Sequence, residues 1–67
     1  MKLYNNMQLD TKFNINDNIK MGEHKYVVTG YEWTVNFGLR YILSYFKDGK
    51  VSFEVMTESE INLYKEQ

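Results

Sequence analysis

The side chains able to do chemistry in this 67-residue chain are few and scattered. His24 is the single histidine and there is no cysteine. A zinc centre built on several His or Cys ligands, or an imidazole working with a positioned partner, therefore lacks its parts. Placed just after Gly22-Glu23, His24 reads as a solvated turn residue. Ser44, Ser52 and Ser59 lack the flanking glycines of a nucleophile elbow. Gly22, Gly30, Gly38 and Gly49 are too dispersed to cradle a phosphate. Glu58 and Glu60 resemble a paired-carboxylate site, but Thr57-Glu58-Ser59-Glu60 also spells a helix capping box, in which Glu60 is committed to backbone and Glu58 faces solvent. We expect no catalytic residue, no metal ligand and no cofactor, and hence not an enzyme.

Length and charge narrow the remaining classes. A chain this short holds one core, and it buries only about 60% of the surface it exposes when unfolded, so stability is marginal. The absence of cysteine excludes disulfide staples and fits a reducing compartment. Met1-Lys2-Leu3-Tyr4-Asn5-Asn6 is not the apolar run of a signal peptide, and no stretch approaches the roughly 20 apolar residues of a membrane helix. A cytoplasmic protein is the expectation. Net charge is −1, and the basic residues are spread along the chain while Glu54, Glu58, Glu60 and Glu66 face Lys65 alone in the tail. An acidic tail repels a phosphate backbone.

The elements that would position any site are strands. Residues 1–11 have no clean period: Leu3, Met7 and Leu9 suit a helical turn or an added strand equally, and the order of this arm is left open. Residues 12–67 form the single domain. From Lys12 the chain alternates, with Phe13, Ile15, Ile19 and Met21 on one face, broken by a turn at Asn16-Asp17, both of which tolerate left-handed backbone. Gly22-Glu23-His24 is a tight turn, and Lys25 to Val35 a second strand. Its apolar positions change parity at Gly30. One extra residue at Thr29-Gly30, a β-bulge, restores Tyr26, Val28, Tyr31 and Trp33 to one face and bends the strand. Asn36-Phe37-Gly38 turns the chain into a hairpin spanning Arg40 to Met56, with Asp48-Gly49 at its tip.

Two registers are open to that hairpin, and they point opposite sides of each strand inward. A two-residue loop sets Leu43 against Glu54 and Ser44 against Phe53. A three-residue loop, Lys47-Asp48-Gly49 with a bulge at Gly49, matches Tyr45 with Val51, Leu43 with Phe53 and Tyr41 with Val55. Matching apolar with apolar favours the second, and with it a core of Ile15, Ile19, Val28, Leu43, Phe53, Val55 and Ile61. Beyond the capping box, Ile61-Asn62-Leu63-Tyr64 alternates, which suggests one helical turn and then a short fifth strand.

Phe13-Asn14-Ile15-Asn16-Asp17-Asn18-Ile19, then Lys25-Tyr26-Val27-Val28-Thr29-Gly30 and the late turn Glu58-Ser59-Glu60-Ile61, resemble the SH3-like small barrels common in bacterial and phage proteins. Those barrels often open with Phe-x-Val-Gly-Asp-x-Val, and here Asn16 stands at the glycine. The likeness spans residues 12–64. It implies an all-β, five-stranded SH3-like barrel with a short helical turn before the last strand. It also implies a non-enzymatic module that binds protein or nucleic acid, often as a small phage accessory factor.

Six Tyr, four Phe and one Trp are more than so small a barrel covers, and Tyr and Trp are frequent interface anchors. Tyr26, Tyr31, Tyr41 and Tyr45 fit a core with hydroxyls at its rim, whereas Trp33, Phe37, Ile42 and Phe46 are the expected contact surface. The resulting expectation is a protein-binding module. It would dock on a second copy of itself, as a homodimer, or on a host or phage protein, an inhibitory role included. The alternative is a nucleic-acid-binding barrel using stacking aromatics with Lys12, Lys20, Lys25 and Arg40, which the dispersed basic residues disfavour.

Overall fold

The structure, a computed structural model, describes residues 11–65; the order of the N-terminal arm, Thr11 apart, lies outside the described residues. Four strands, β1 (Asn18–Met21), β2 (His24–Thr34), β3 (Gly38–Lys47) and β4 (Lys50–Thr57), form one open antiparallel sheet in the order β1-β2-β3-β4. The helix α1 (Glu58–Tyr64) follows. Each connection is short, so each strand lies beside its successor. The all-β class expected from the residues holds. The tail differs from expectation: Ile61 to Tyr64 are helical, and Lys65 makes a single bridge to Met21 in place of a fifth strand. The capping box starts the helix, and Lys65 N–H donates to the Ile61 carbonyl at 2.8 Å, so the helix runs until the chain has returned to β1. Among the described residues no helix is long and apolar enough to cross a membrane.

The turns follow from residues that accept positive φ. Asn16 has φ 78°, and the turn is locked by Asn14 N–H donating to Asp17 Oδ2 at 2.8 Å and by backbone bonds from Asn16 to Val28 and from Val28 to Asp17. The bulge in β2 lies where parity required it: Val28 pairs with Leu43 and Gly30 with Ile42, leaving Thr29 as the extra residue. The Thr29 hydroxyl hydrogen-bonds the Ser44 hydroxyl at 2.8 Å. Tyr26, Val28, Tyr31 and Trp33 thereby share one face, as the sequence pattern demands.

The hairpin corrects the expected register. Lys47 pairs with Lys50 across a two-residue Asp48-Gly49 turn, and Tyr45, Leu43 and Tyr41 face Ser52, Glu54 and Met56. On the other side Phe46, Ser44 and Ile42 face Val51, Phe53 and Val55. Both turn residues have positive φ, 54° and 78°, the type I′ geometry whose twist matches that of the strands. Aspartate tolerates the left-handed region, so the turn needs no third residue. Apolar matching fails as a guide because β4 is an edge strand that the core does not cover on both sides.

The core lies on the face of the sheet that meets α1: Ile19, Met21, Tyr26, Val28, Tyr41, Leu43 and Ile61 are buried, with Phe13, Tyr31, Leu39, Tyr45 and Met56 packed against them. Of the expected core, Ile19, Val28, Leu43 and Ile61 are there. Ile15 and Phe53 are instead exposed and Val55 is half-buried on the opposite face, because the observed register turns Phe53 and Val55 outward. Met21, Tyr26 and Tyr41 take their volume. Phe13 and Tyr31 meet the Tyr41 ring edge-on, at centroid distances of 5.1 and 5.6 Å. Two tyrosine hydroxyls of this cluster are bonded, Tyr31 donating to the Phe13 carbonyl and Tyr41 accepting from Lys12 N–H, each at 3.0 Å. Each fully buried large side chain contributes about 1.5–3 kcal/mol, and Ile61 alone from α1 is buried, so it anchors the helix.

Candidate binding surfaces

Three of the four expected contact residues belong to one surface. Alternation places Ile42, Ser44 and Phe46 of β3 on the face away from α1, opposite Val55, Phe53 and Val51 of β4. Phe46 is 68%, Val51 70% and Phe53 67% exposed, and with the half-buried Ile42 and Val55 they form an apolar ladder on the far side of this hairpin, with Ser44 among them. Phe37, in the β2–β3 loop, extends it. The Arg40 guanidinium lies 4.3 Å from the centre of the Phe37 ring, and Arg40 Nε donates to Glu32 Oε1 at 2.8 Å. That ion pair holds the guanidinium over the ring and joins the loop to the ladder. Trp33 does not join them. It pairs with Leu39 at the end of β2, on the core side of the sheet, and is 66% exposed there. Val51, Phe53 and Val55 were missed because they were assigned inward; the Asp-Gly dipeptide, taken at face value as a two-residue turn, points them out.

On the core side an open groove of about 470 Å³ is lined by Met21, Gly22, Tyr26, Glu54, Met56 and Tyr64. Tyr26 and Tyr45 pack behind it with tilted rings, centroids 4.8 Å apart, and His24 packs on Tyr45 at 5.5 Å. His24 is thus half-buried in an aromatic cluster, not the solvated turn residue expected. Its neighbour Tyr26 has its phenol pKa raised, first by burial and then by the charges of Glu54 and Tyr45. The other polar groups are engaged in structure. The Ser44 hydroxyl meets Thr29; the Glu60 carboxylate accepts from Thr57 N–H at 2.8 Å, and Thr57 Oγ1 accepts from Glu60 N–H at 3.2 Å, completing the capping box.

The basic residues of the nucleic-acid alternative are in part brought together. Lys20 pairs with Lys25 across β1 and β2, and Arg40 is neutralised by Glu32. Lys12 holds the Tyr41 hydroxyl through its backbone. Among the described residues no group of three or more His, Cys, Asp or Glu comes together as a metal site. No family model, no curated protein and no solved structure matches the chain.

Proposed function

We propose that the chain is a non-enzymatic protein-binding module whose docking surface is the far face of the β3–β4 hairpin. The single observation that carries this is the ladder of Ile42, Phe46, Val51, Phe53 and Val55. These are apolar side chains that the core, lying on the opposite face, does not use. Contiguous apolar surface on so small a domain marks an interaction site, and Phe37 held under Arg40 supplies an aromatic anchor at its end.

We also propose that the fold is an SH3-like barrel. Its support is the four-strand meander, the bulge that bends β2, the capped helix after β4 and the Met21–Lys65 bridge that returns the tail to β1. A small cytoplasmic accessory protein of a phage or mobile element, docking on a host or phage protein and inhibiting it, is the role this surface suits.

The test compares the wild-type chain with a Phe46→Ser/Phe53→Ser variant as baits in host cells, followed by reconstitution with the purified partner. Loss of that defined complex with an unchanged melting curve supports the reading. Retention of the complex overturns it. Binding of single-stranded DNA that weakens steeply with salt, without a protein partner, transfers the function to the nucleic-acid alternative.

A further inference from the structure

We infer that the outer edge of β4 is a self-pairing surface, on which a second copy of this chain adds its own β4 antiparallel about a two-fold axis through Ser52. The inference rests on the reading of the chain as a protein-binding module and names one partner and one register for it.

β4 is the last strand of the sheet, eight residues long, with β3 on one side and no strand on the other among the described residues. Strands of this length with free N–H and C=O groups are templates for pairing unless charge, proline or a bulge protects them. The chain has no proline, and the register of β4 runs unbroken from Lys50 to Thr57. The opposite edge of the sheet is partly occupied, since Lys65 bridges Met21 of β1.

The hairpin turn dictates which groups are free. Lys47 and Lys50 close a two-residue loop, so that pair exchanges hydrogen bonds, and alternation directs Lys50, Ser52, Glu54 and Met56 toward β3. Val51, Phe53 and Val55 then present N–H and C=O outward. A two-fold antiparallel partner can therefore be centred on a residue but not between two residues, where bonding groups would meet non-bonding ones.

Side chains choose among those centres. An axis through Val51 brings Glu54 against Asp48 of the second copy, and an axis through Glu54 sets the two Glu54 carboxylates face to face. An axis through Phe53 pairs Lys50 with Met56 and Ser52 with Glu54. An axis through Ser52 pairs Lys50 with Glu54 of the second copy, twice by symmetry, and Val51 with Phe53, also twice. It is the one centre that joins opposite charges. It also keeps the overlap near the Asp48-Gly49 tip, away from Thr57 where α1 begins. Lys50 and Glu54 are both exposed and free to reach across. The Lys47–Lys50 repulsion inside each hairpin is eased by the incoming carboxylate. The two apolar ladders then become one continuous face, Phe46-Val51 of each copy meeting Phe53 of the other.

The experiment is sedimentation equilibrium of the full chain over a concentration series up to about 1 mM, a range that detects even weak pairing. Wild type, Lys50→Glu, Glu54→Lys and the double swap Lys50→Glu/Glu54→Lys are compared. Wild type is expected to dimerise, each single variant to weaken the dimer by roughly ten- to a hundredfold because two attractive pairs become two repulsive ones, and the double swap to restore it. Far-ultraviolet circular dichroism confirms folding; Lys50→Glu replaces a like-charge pair with Lys47 by an opposite one, so the hairpin is not put at risk. A monomeric wild type, single variants that dimerise normally, or a double swap that stays monomeric would each overturn the inference. None of these variants alters the apolar ladder. A monomeric chain that still forms the complex lost in Phe46→Ser/Phe53→Ser sinks self-pairing alone, whereas retention of that complex in the serine variant sinks the docking surface alone.

Discussion

Ser44 stands opposite Phe53 across β3 and β4, and this one pairing sends the largest side chain of β4 to solvent. In the neighbouring pair Leu43, fully buried, faces the exposed Glu54. Leu43 belongs to the buried cluster with its β2 partner Val28 and with Ile61 of α1. The hairpin is consequently half core and half display surface, divided along the length of β3.

That division is measurable as a contrast. Leu43→Ala should cost about 2–5 kcal/mol, enough to unfold much of a domain this small. Phe53→Ala should stay within about 0.5–1 kcal/mol, the range of exposed substitutions. Urea melts of the two variants check it; equal losses would show that Phe53 belongs to the core.

Gly49 carries φ 78°, and a Cβ built there has nothing within 4 Å. The penalty for a side chain is thus purely conformational. Gly49→Val should destabilise by about 1–2 kcal/mol, the cost of a left-handed L-residue with a branched side chain. For a domain this size that is a fall in Tm of roughly 4–8 °C per kcal/mol. A Tm equal to wild type would mean that the turn is not type I′.

The parts of this fold that are readable from residues are those with local causes. The turn at Asn16, the bulge before Gly30 and the capping box at Thr57 each follow from backbone chemistry within a few positions. The hairpin register was misread because it was inferred from pairing apolar residues with one another, and that criterion assumes both strands lie over the core. β4 reaches the core chiefly through Met56, and its apolar residues Val51, Phe53 and Val55 face the other way. The same criterion turns Val51, Phe53 and Val55 inward, whereas the surplus hydrophobicity of Phe37, Ile42 and Phe46 is visible in either register. Trp33 stands apart from them, because the bulge at Thr29-Gly30 that the sequence pattern itself requires carries it to the core face.

The capping box offers an independent check on the tail. Thr57→Ala removes the acceptor for Glu60 N–H and should cost about 0.5–2 kcal/mol, while Glu60→Gln keeps the reciprocal bond to Thr57 N–H and should be nearly neutral. Since α1 brings Ile61 to the core and Lys65 to Met21, amide exchange at Ile61 and Lys65 should accelerate in Thr57→Ala. Unchanged exchange at both would show that the helix is held by packing alone.

The alkaline limb of stability should carry the signature of Tyr26. Its folded pKa is raised above 10.0, first by burial, then by Glu54 and Tyr45. As pH rises past the unfolded value, the unfolded chain loses this proton while the folded chain keeps it. The unfolded state then binds fewer protons, and the slope of unfolding free energy against pH is negative. The contribution is fully present below about pH 10 and is lost as pH climbs through the folded pKa. Tyr26→Phe removes the ionisable group, so urea stability should fall less between about pH 8 and about pH 11 than in wild type. Glu54→Gln removes the second cause and leaves the first, so the Tyr26 transition, followed as the wild-type minus Tyr26→Phe difference in absorbance near 295 nm in each background, should shift only part of the way down. If Glu54→Gln returns that transition entirely to the free-tyrosine value, the carboxylate and not burial governs the groove, and Tyr26 is wetter than its place in the core requires.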